Sequence, residues 1–312
     1  MRISVVWLAL AGLLALPGRS GAATILYSTG FEAAEGYDPT FELIGQAGWV
    51  GDTSSTNGGN GLLTNYLGSQ AAYVGSSPLE PATDYLGVFH PLNYSPLASG
   101  TPVVKFSVTM TVVDSTNGKR DDFYWSVYNI QGHRLFTVDF FNGDLGIYYV
   151  LDDTNGLVYT GTTFTNDGVY TLAVTMNFGG TNWSATLNGA PVVTAQPLTT
   201  TRAALTLGDI DAAWFIADTN APGDNFMVFD NYLVTVEPVE AARLVALGRP
   251  ANGQFPLQLT GPSGARYAID ASVDLRQWSA QKTNTITDGS FDYVDTSAAS
   301  FSKRFYRARL VP

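Results

Sequence analysis

Aromatic and acidic side chains are the two groups of residues in this sequence whose types and spacing suit chemistry. The chain has 16 Tyr, 6 Trp and 27 acidic residues, but only 2 His and no Cys. Aromatic rings present an apolar face on which a ligand stacks, while polar neighbours hydrogen-bond it. Carboxylates bind hard cations or transfer protons. The lack of Cys excludes disulfides, thiolate metal sites and a Cys nucleophile.

Alternation along the run at 123–128 sorts its aromatic residues between two faces of a strand. Phe123, Trp125 and Val127 share the face that we expect in the core. Tyr124 and Tyr128 share the opposite face, where a ligand has access to them.

Two further aromatic residues complete the predicted binding surface. The same alternation turns Tyr148 outward from the run at 146–151, and Trp49 lies in a Gly-rich stretch that we expect at a loop rim. We therefore predict that Tyr124, Tyr128, Tyr148 and Trp49 bind a sugar ring. The alternative is that the tyrosines only pair across strands, as they often do in sheets.

Aspartate pairs suggest a second chemistry, hydrolysis of glycosidic bonds, which needs two carboxylates about 5–10 Å apart. Asp121–Asp122 and Asp152–Asp153 are adjacent in turn-like contexts. Asp139 alternates with apolar residues, so it projects from a sheet face. Each is also explained as a solvated turn or edge residue. Neither His90 nor His133 lies in a motif typical of nucleophilic catalysis.

The elements that position these side chains are predicted to be strands. Short alternating runs are separated by turn signals such as Asn142–Gly143 and Asn188–Gly189. Asn-Gly pairs adopt the positive φ that tight hairpins require. With no amphipathic helix evident, this spacing predicts an all-β protein: an antiparallel jelly-roll sandwich followed by a small β-sandwich domain.

Charge divides the chain into two domains. Residues 24–242 carry 5 basic and 22 acidic side chains, a net −17, whereas residues 243–312 carry 9 basic and 5 acidic ones, a net +4. A strand-like run ends near the switch at Pro238, as is common before a linker. We place the jelly roll at 24–240 and the small domain at 241–312. The total charge of −11 makes a nucleic-acid partner unfavourable.

The N-terminus predicts a signal peptide at residues 1–23. Arg2 precedes the apolar run Ile3–Leu16, and Gly21 and Ala23 fit the small-x-small cleavage rule. The run is shorter than the ~20 residues needed to span a bilayer. We therefore expect a secreted protein, extracellular, periplasmic or at the cell surface, without membrane insertion after cleavage.

The first domain resembles the concanavalin A-like, laminin G-like jelly rolls of secreted bacterial proteins. The resemblance lies in the opening run Ser28–Glu32 and the closing run Val228–Val234. It implies a structural Ca²⁺ between the first and last strands, held by Glu32 and Asp230. The sequence around Asp209 and Asp211 offers further acidic ligands, although Asp is also common in turns.

The tail resembles a C-terminal module of secreted proteins from environmental, Verrucomicrobia-like bacteria. The matching residues are Tyr267–Ser272, Asp274–Leu275, Trp278 and Phe305–Ala308. The resemblance implies a fibronectin- or immunoglobulin-like sandwich and no known chemistry.

These observations favour a secreted, non-catalytic protein whose jelly roll binds a polysaccharide or cell-surface glycan. Two alternatives stay open: a polysaccharide-degrading enzyme, hydrolase or lyase, with an unfamiliar carboxylate pair, and a purely structural surface protein. A carboxylate pair in a groove favours the enzyme, and an aromatic groove without such a pair favours binding.

Overall fold

The computed structural model describes residues 23–52, 57–152, 156–238, 242–248, 253–261, 266–286 and 289–311. The predicted signal peptide lies outside the described residues except for Ala23, and the predicted domain boundary falls in the undescribed segment 239–241. The described chain contains no helix that is long and apolar enough to cross a membrane. It divides into two compact units, one formed by Ala23–Pro238 and one that includes the residues after Pro238.

The first unit is built from strands and one short 3₁₀ turn, Ala33–Glu35. Its strands β1 to β15 are, in order, Thr24–Thr29, Val50–Gly51, Asn60–Tyr66, Ser69–Gly75, Tyr85–Phe89, Val103–Val113, Asp122–Tyr128, Arg134–Phe141, Gly146–Leu151, Val158–Thr163, Tyr170–Asn177, Asn182–Leu187, Ala190–Pro197, Asp209–Phe215 and Phe226–Glu237.

These strands form two antiparallel sheets. An eight-stranded sheet has the order β13-β12-β11-β6-β15-β4-β3, with β1 also paired to β15. A seven-stranded sheet has the order β10-β9-β8-β7-β14-β5-β2. The many neighbours that are distant in sequence, such as β6 with β15, are the crossovers of a jelly roll. The fold-class prediction is therefore confirmed.

The hairpin between β12 and β13 depends on residues that adopt positive φ. The turn between β12 and β13 holds Asn188 at φ 50° and Gly189 at φ 81°. Both residue types tolerate positive φ, and two such residues give the turn whose twist matches the flanking strands.

The two sheets share one hydrophobic core. Phe106 of β6 packs against Trp125 of β7, with ring centroids 5.2 Å apart, and so joins the sheets. Trp183 of β12 stacks on Phe136 of β8 at 3.8 Å. All four rings are at most 1% exposed. This interdigitation fixes which face of each sheet is turned away from the core.

The second unit is also β-structure, with a short 3₁₀ turn at Ala298–Ser300. Its strands β16 to β21 are Arg243–Ala246, Phe255–Thr260, Arg266–Ser272, Ser279–Thr285, Ser290–Asp295 and Phe305–Leu310. They form two three-stranded antiparallel sheets, β16-β17-β20 and β19-β18-β21. Leu259, Ile269 and Ile286 lie fully buried in its core. The tail motif accounts for the adjacent strands β18 and β21.

Candidate functional site

The seven-stranded sheet turns one face to the core and the other, here called the outer face, away from it. On β7 the core face carries Phe123, Trp125 and Val127, which are at most 2% exposed, as the sequence predicts. Tyr124 and Tyr128 therefore project from the outer face.

The strand register brings two of the predicted tyrosines into one row. Tyr124 of β7 pairs with Asp139 of β8, Asp139 pairs with Tyr148 of β9, and Tyr148 pairs with Tyr159 of β10. Directly paired residues point to the same face of a sheet. The outer face thus carries a row of three tyrosines across four strands, with a carboxyl group between the first two.

The far end of this row is the most accessible part. The rings of Tyr148 and Tyr159 lie 5.1 Å apart and are tilted by 44°. Tyr159 is 49% exposed, and the Tyr148 hydroxyl donates to Asp144 Oδ2 at 2.6 Å. Tyr124 is half-buried and stacks on Phe215 at 6.0 Å. Sequence reasoning missed Tyr159. The signal that indicates it is its position in the β-branched run Val158–Thr163.

Asp139 lies beneath the row and is fully buried. Neither of its carboxyl oxygens has a hydrogen-bond partner among the described residues. Burial, then the nearby charges of Asp122 and Asp144, raise the pKa of Asp139 to about 8. At neutral pH this side chain is therefore mostly an uncharged carboxylic acid, which is able to donate a hydrogen bond.

The adjacent aspartates 121 and 122 do not form the pair that the sequence suggested, because Asp121, just before β7, and Asp122, its first residue, bind different parts of the chain. Asp121 accepts hydrogen bonds from Trp214 Nε1 and from the backbone N–H groups of Ala217 and Gly223. Asp122 faces outward, and burial raises its pKa to about 6. Asp121 is thus structural, while Asp122 is the neighbour of Asp139.

Three further aspartates, here called the acid trio, lie on the outer face: Asp52, Asp209 and Asp211. Asp209 and Asp211 alternate on β14 and pair with Tyr128 and Ser126 of β7. The carboxyl groups of Asp52 and Asp209 are both within hydrogen-bonding reach of the Asp211 carboxyl. The sequence suggested turn residues here, but Asp209 and Asp211 belong to a central strand.

The lack of a side chain at Gly87 leaves room for the Asp52 carboxyl group in the trio. A β-carbon at position 87 would lie 2.6 Å from Asp52 Oδ1, and the Gly87 N–H donates to that same oxygen at 2.6 Å. Asp52 therefore folds back over β5 towards Asp211. The hydroxyls of Tyr85 and Tyr128 lie close enough for the charges of Asp52 and Asp211 to raise their pKa values, after burial.

The environment of the acid trio favours protonated carboxyls. Burial raises the pKa of Asp209 to about 6 and that of Asp52 above its usual range. Burial, then the charges of Asp209 and Asp52, raise the pKa of Asp211 well above its usual value. Among the described residues, no group of three or more His, Cys, Asp or Glu side chains is placed to hold a metal ion.

Trp49 corrects one of the predicted positions. It is fully buried instead of lying at a loop rim. Its Nε1 donates to the hydroxyls of Tyr37 and Tyr27, and its ring packs 5.4 Å from that of Tyr232. The Gly-rich segment folds back onto the edge of the core, so Trp49 cannot stack on a ligand.

The structure brings the predicted calcium ligands into one region, where β1 pairs with β15. Glu32 and Asp230 both lie near Gly30. Asp230 accepts hydrogen bonds from Ser69 Oγ and from the N–H of Asn231, while Glu32 Oε1 accepts one from the Gln70 N–H. These oxygens suit Ca²⁺ chemically. Protein donors already hold them, however, so the fit to a metal is partial and calcium stays a prediction.

Comparisons with known proteins give distant structural similarity only. No family model matches the sequence, and no significant match to a curated protein was found. The solved structure described as "Sialidase" is 9% identical over 60% of this chain, with a TM-score of 0.43, and the chain spans 17% of its length.

Two smaller proteins match along most of their own length. "Cellulose induced protein, Cip1" is 14% identical over 67% of this chain and 96% of its own, with a TM-score of 0.46. The CBM2 module of the evolved Dit protein of Lactobacillus casei BL23 phage J-1 is 12% identical over 70% and 97%, with a TM-score of 0.45. The fold assignment above rests on the strand pairing of this chain itself.

Proposed function

We propose that the outer face of the seven-stranded sheet binds a polysaccharide or surface glycan, and that the chain is a secreted, non-catalytic binding protein. The observation that carries the proposal is the row formed by Tyr124, Tyr148 and Tyr159, which the strand register aligns on one face. An aromatic ring offers a large apolar area at low conformational cost, and its hydroxyl supplies a polar contact. Tyr128 extends the same face towards the acid trio.

The length of the tyrosine row indicates the size of the ligand. Neighbouring strands lie about 4.8 Å apart, so the three strand steps from Tyr124 to Tyr159 span about 14 Å. A single sugar ring cannot cover that distance, whereas an oligomer can. The proposal therefore concerns a chain of sugars lying across the strands.

Hydrolysis of a glycosidic bond is the second candidate, and one observation favours it. Asp122 and Asp139 occupy diagonal positions on β7 and β8, where Cα atoms are about 7–8 Å apart. Their pKa values of about 6 and about 8 are those of a base and an acid that work together. Yet Asp139 is 0% and Asp122 8% exposed, so a substrate has no direct access to either. Burial therefore favours binding.

One experiment separates the two candidates. The chain without residues 1–23 is incubated with a panel of soluble and insoluble polysaccharides, and protein depletion and new reducing ends are measured in the same tubes. We expect depletion without reducing ends. Reducing ends that disappear in an Asp139→Asn variant would show hydrolysis instead, and neither signal across the panel would contradict glycan binding.

Calcium near Glu32 and Asp230 is a separate proposal that rests on the family resemblance. If Ca²⁺ bridges the two carboxylates, it stabilises the folded state in proportion to its occupancy, so the melting temperature rises with Ca²⁺ and falls with a chelator. Glu32→Gln should abolish that rise. An identical melting temperature in both conditions would mean that the hydrogen bonds described above hold this region by themselves.

A further inference from the structure

The acid trio lacks the counter-charges that normally accompany clustered carboxylates. None of Asp52, Asp209 and Asp211 forms an ion pair with a Lys or Arg among the described residues, whereas Asp114 and Asp270 each do. One oxygen of Asp209 and one of Asp211 are buried without a hydrogen-bond donor in the described part of the chain. Such unsatisfied acceptors are costly unless a ligand or a proton supplies the missing donor.

The three side chains of the trio differ in their exposure to solvent. Asp52 is exposed as a residue, although its carboxyl group is partly covered over Gly87; Asp209 is half-exposed, and Asp211 is 1% exposed and forms the floor. A ligand group that enters from the surface meets Asp52 and Asp209 first, with the unpartnered Asp211 oxygen beneath them. The half-buried rings of Tyr85 and Tyr128 lie beside the trio and supply aromatic surface, which attracts cations.

We propose that the acid trio is the subsite for a protonated primary amine, and that the glycan bound by the outer face is an amino-sugar polymer. An ammonium group has three N–H donors and no acceptor, which matches a cluster of three carboxyl groups in which one oxygen of Asp209 and one of Asp211 lack a donor among the described residues. Hydrogen bonds between an ammonium and a carboxylate are shorter and stronger than neutral ones. This inference rests on the proposed function, because it names the substrate class of the same face.

The raised pKa values are consistent with this assignment. Without a cation, the mutual repulsion of the trio is relieved by protons held between the carboxyls. A bound ammonium performs the same task and adds its own hydrogen bonds.

The acid trio and the tyrosine row lie on the same face of the sheet, so one polymer chain contacts both. Gly87, over which the Asp52 carboxyl lies, pairs with Ala213, and Ala213 pairs with Tyr124. Asp52 therefore extends the row at the end opposite to Tyr159. The five strand steps from β5 to β10 amount to about 24 Å, so an oligosaccharide reaches both ends and a monosaccharide does not.

The test compares three hexasaccharides by isothermal titration calorimetry at neutral pH, above the pKa of Asp209: β-1,4-linked glucosamine, its N-acetylated counterpart and a hexauronate. We expect the glucosamine hexamer to bind about tenfold more tightly than the N-acetylated one, the factor of a single charge-assisted hydrogen bond. Asp209→Asn and Asp52→Asn should each reduce that preference. Both sites are at least partly exposed, so these variants should fold, and thermal melting checks it.

Asp38→Asn is the matched control. Asp38 is exposed and caps the backbone of Thr40, so the variant removes the same charge away from the outer face. A preference for the amine that persists in the trio variants would mean that only the overall negative charge selects it, and would overturn the inference.

The outcomes separate this inference from the proposed function. Equal affinity for the amine and N-acetyl hexamers, with loss of both in Tyr148→Ala, would overturn the amine subsite and leave glycan binding in place. Tighter binding of the hexauronate would also overturn the amine subsite. Failure of the three hexamers and of the whole polysaccharide panel to bind would contradict glycan binding and, with it, the amine subsite.

Discussion

At the scale of single residues, Asp139 is a buried carboxyl group that the folded sheet keeps mostly protonated at neutral pH. Its carboxyl group has no partner among the described residues and no contact with solvent, so ionisation is disfavoured in the folded state. The unfolded chain ionises the same group near its usual pKa of about 4. The folded chain therefore holds one more proton than the unfolded chain between these two pKa values.

Asp139 is thus predicted to make stability depend on pH. Because the folded state binds the extra proton, the free energy of unfolding falls as pH rises from about 4 to about 8. In Asp139→Asn that contribution is absent. The stability difference between wild type and variant should change by at least about 1.4 kcal/mol across this window, the equivalent of one pKa unit. Urea unfolding at several pH values measures it, and parallel stability profiles for the two proteins would contradict it.

Some residue positions were predictable from sequence and others were not. Alternation assigned Phe123, Trp125 and Val127 to the core because β7 is regular over those residues. Trp49 was misplaced because its loop folds back onto β1 and β15, a contact that depends on residues far along the chain. Local sequence does not contain that information.

At the scale of elements, strand register creates the candidate site. Tyr124, Asp139 and Tyr148 lie within one row because β7, β8 and β9 are consecutive hairpins, and hairpins are the pairings that sequence predicts best. The acid trio joins β14 and β5 with the segment around Asp52, which are distant in sequence. The sequence therefore predicted the positions of Tyr124, Asp139 and Tyr148 on the outer face, whereas the acid trio became evident only from the structure.

The chain at the start of β7 provides a test of the different roles assigned to Asp121 and Asp122. Asp121 is 2% exposed and accepts three hydrogen bonds that connect β14 and the segment after it, so Asp121→Ala leaves those donors unsatisfied. We expect a loss of about 3 kcal/mol in the free energy of unfolding. Asp122→Asn keeps an oxygen that accepts the Asn142 N–H, so it should cost less than about 1 kcal/mol at pH 7. Chemical denaturation compares them, and equal losses would contradict the assignment.

At the scale of the whole molecule, charge restricts the ligand. Residues 24–242 carry a net −17, and among the acidic residues of the outer face Asp52 and Asp209 are accessible to a glycan. Like charges at an interface oppose association and suppress unsuitable partners. The proposed amino-sugar subsite and the net negative charge therefore both favour a cationic polysaccharide over an anionic one.

Anionic polysaccharides are accordingly predicted not to bind. Depletion assays with a polyuronate at low salt should show no retention, because repulsion is strongest when screening is weakest. A neutral polysaccharide of similar size serves as the control. Retention of the polyuronate at low salt that weakens as salt is added would reveal an attractive basic surface and contradict this prediction.

The most direct test of the account is the contribution of the tyrosine row to glycan binding. For a polysaccharide that wild type binds, affinity is measured for the double variant Tyr148→Ala/Tyr159→Ala and for Tyr66→Ala, which removes a half-buried tyrosine from the eight-stranded sheet. The account predicts that the double variant loses at least about tenfold in affinity, since each ring contributes apolar area worth about 1–2 kcal/mol, while Tyr66→Ala binds like wild type. Unchanged affinity in a folded double variant would contradict the claim that this face binds the glycan.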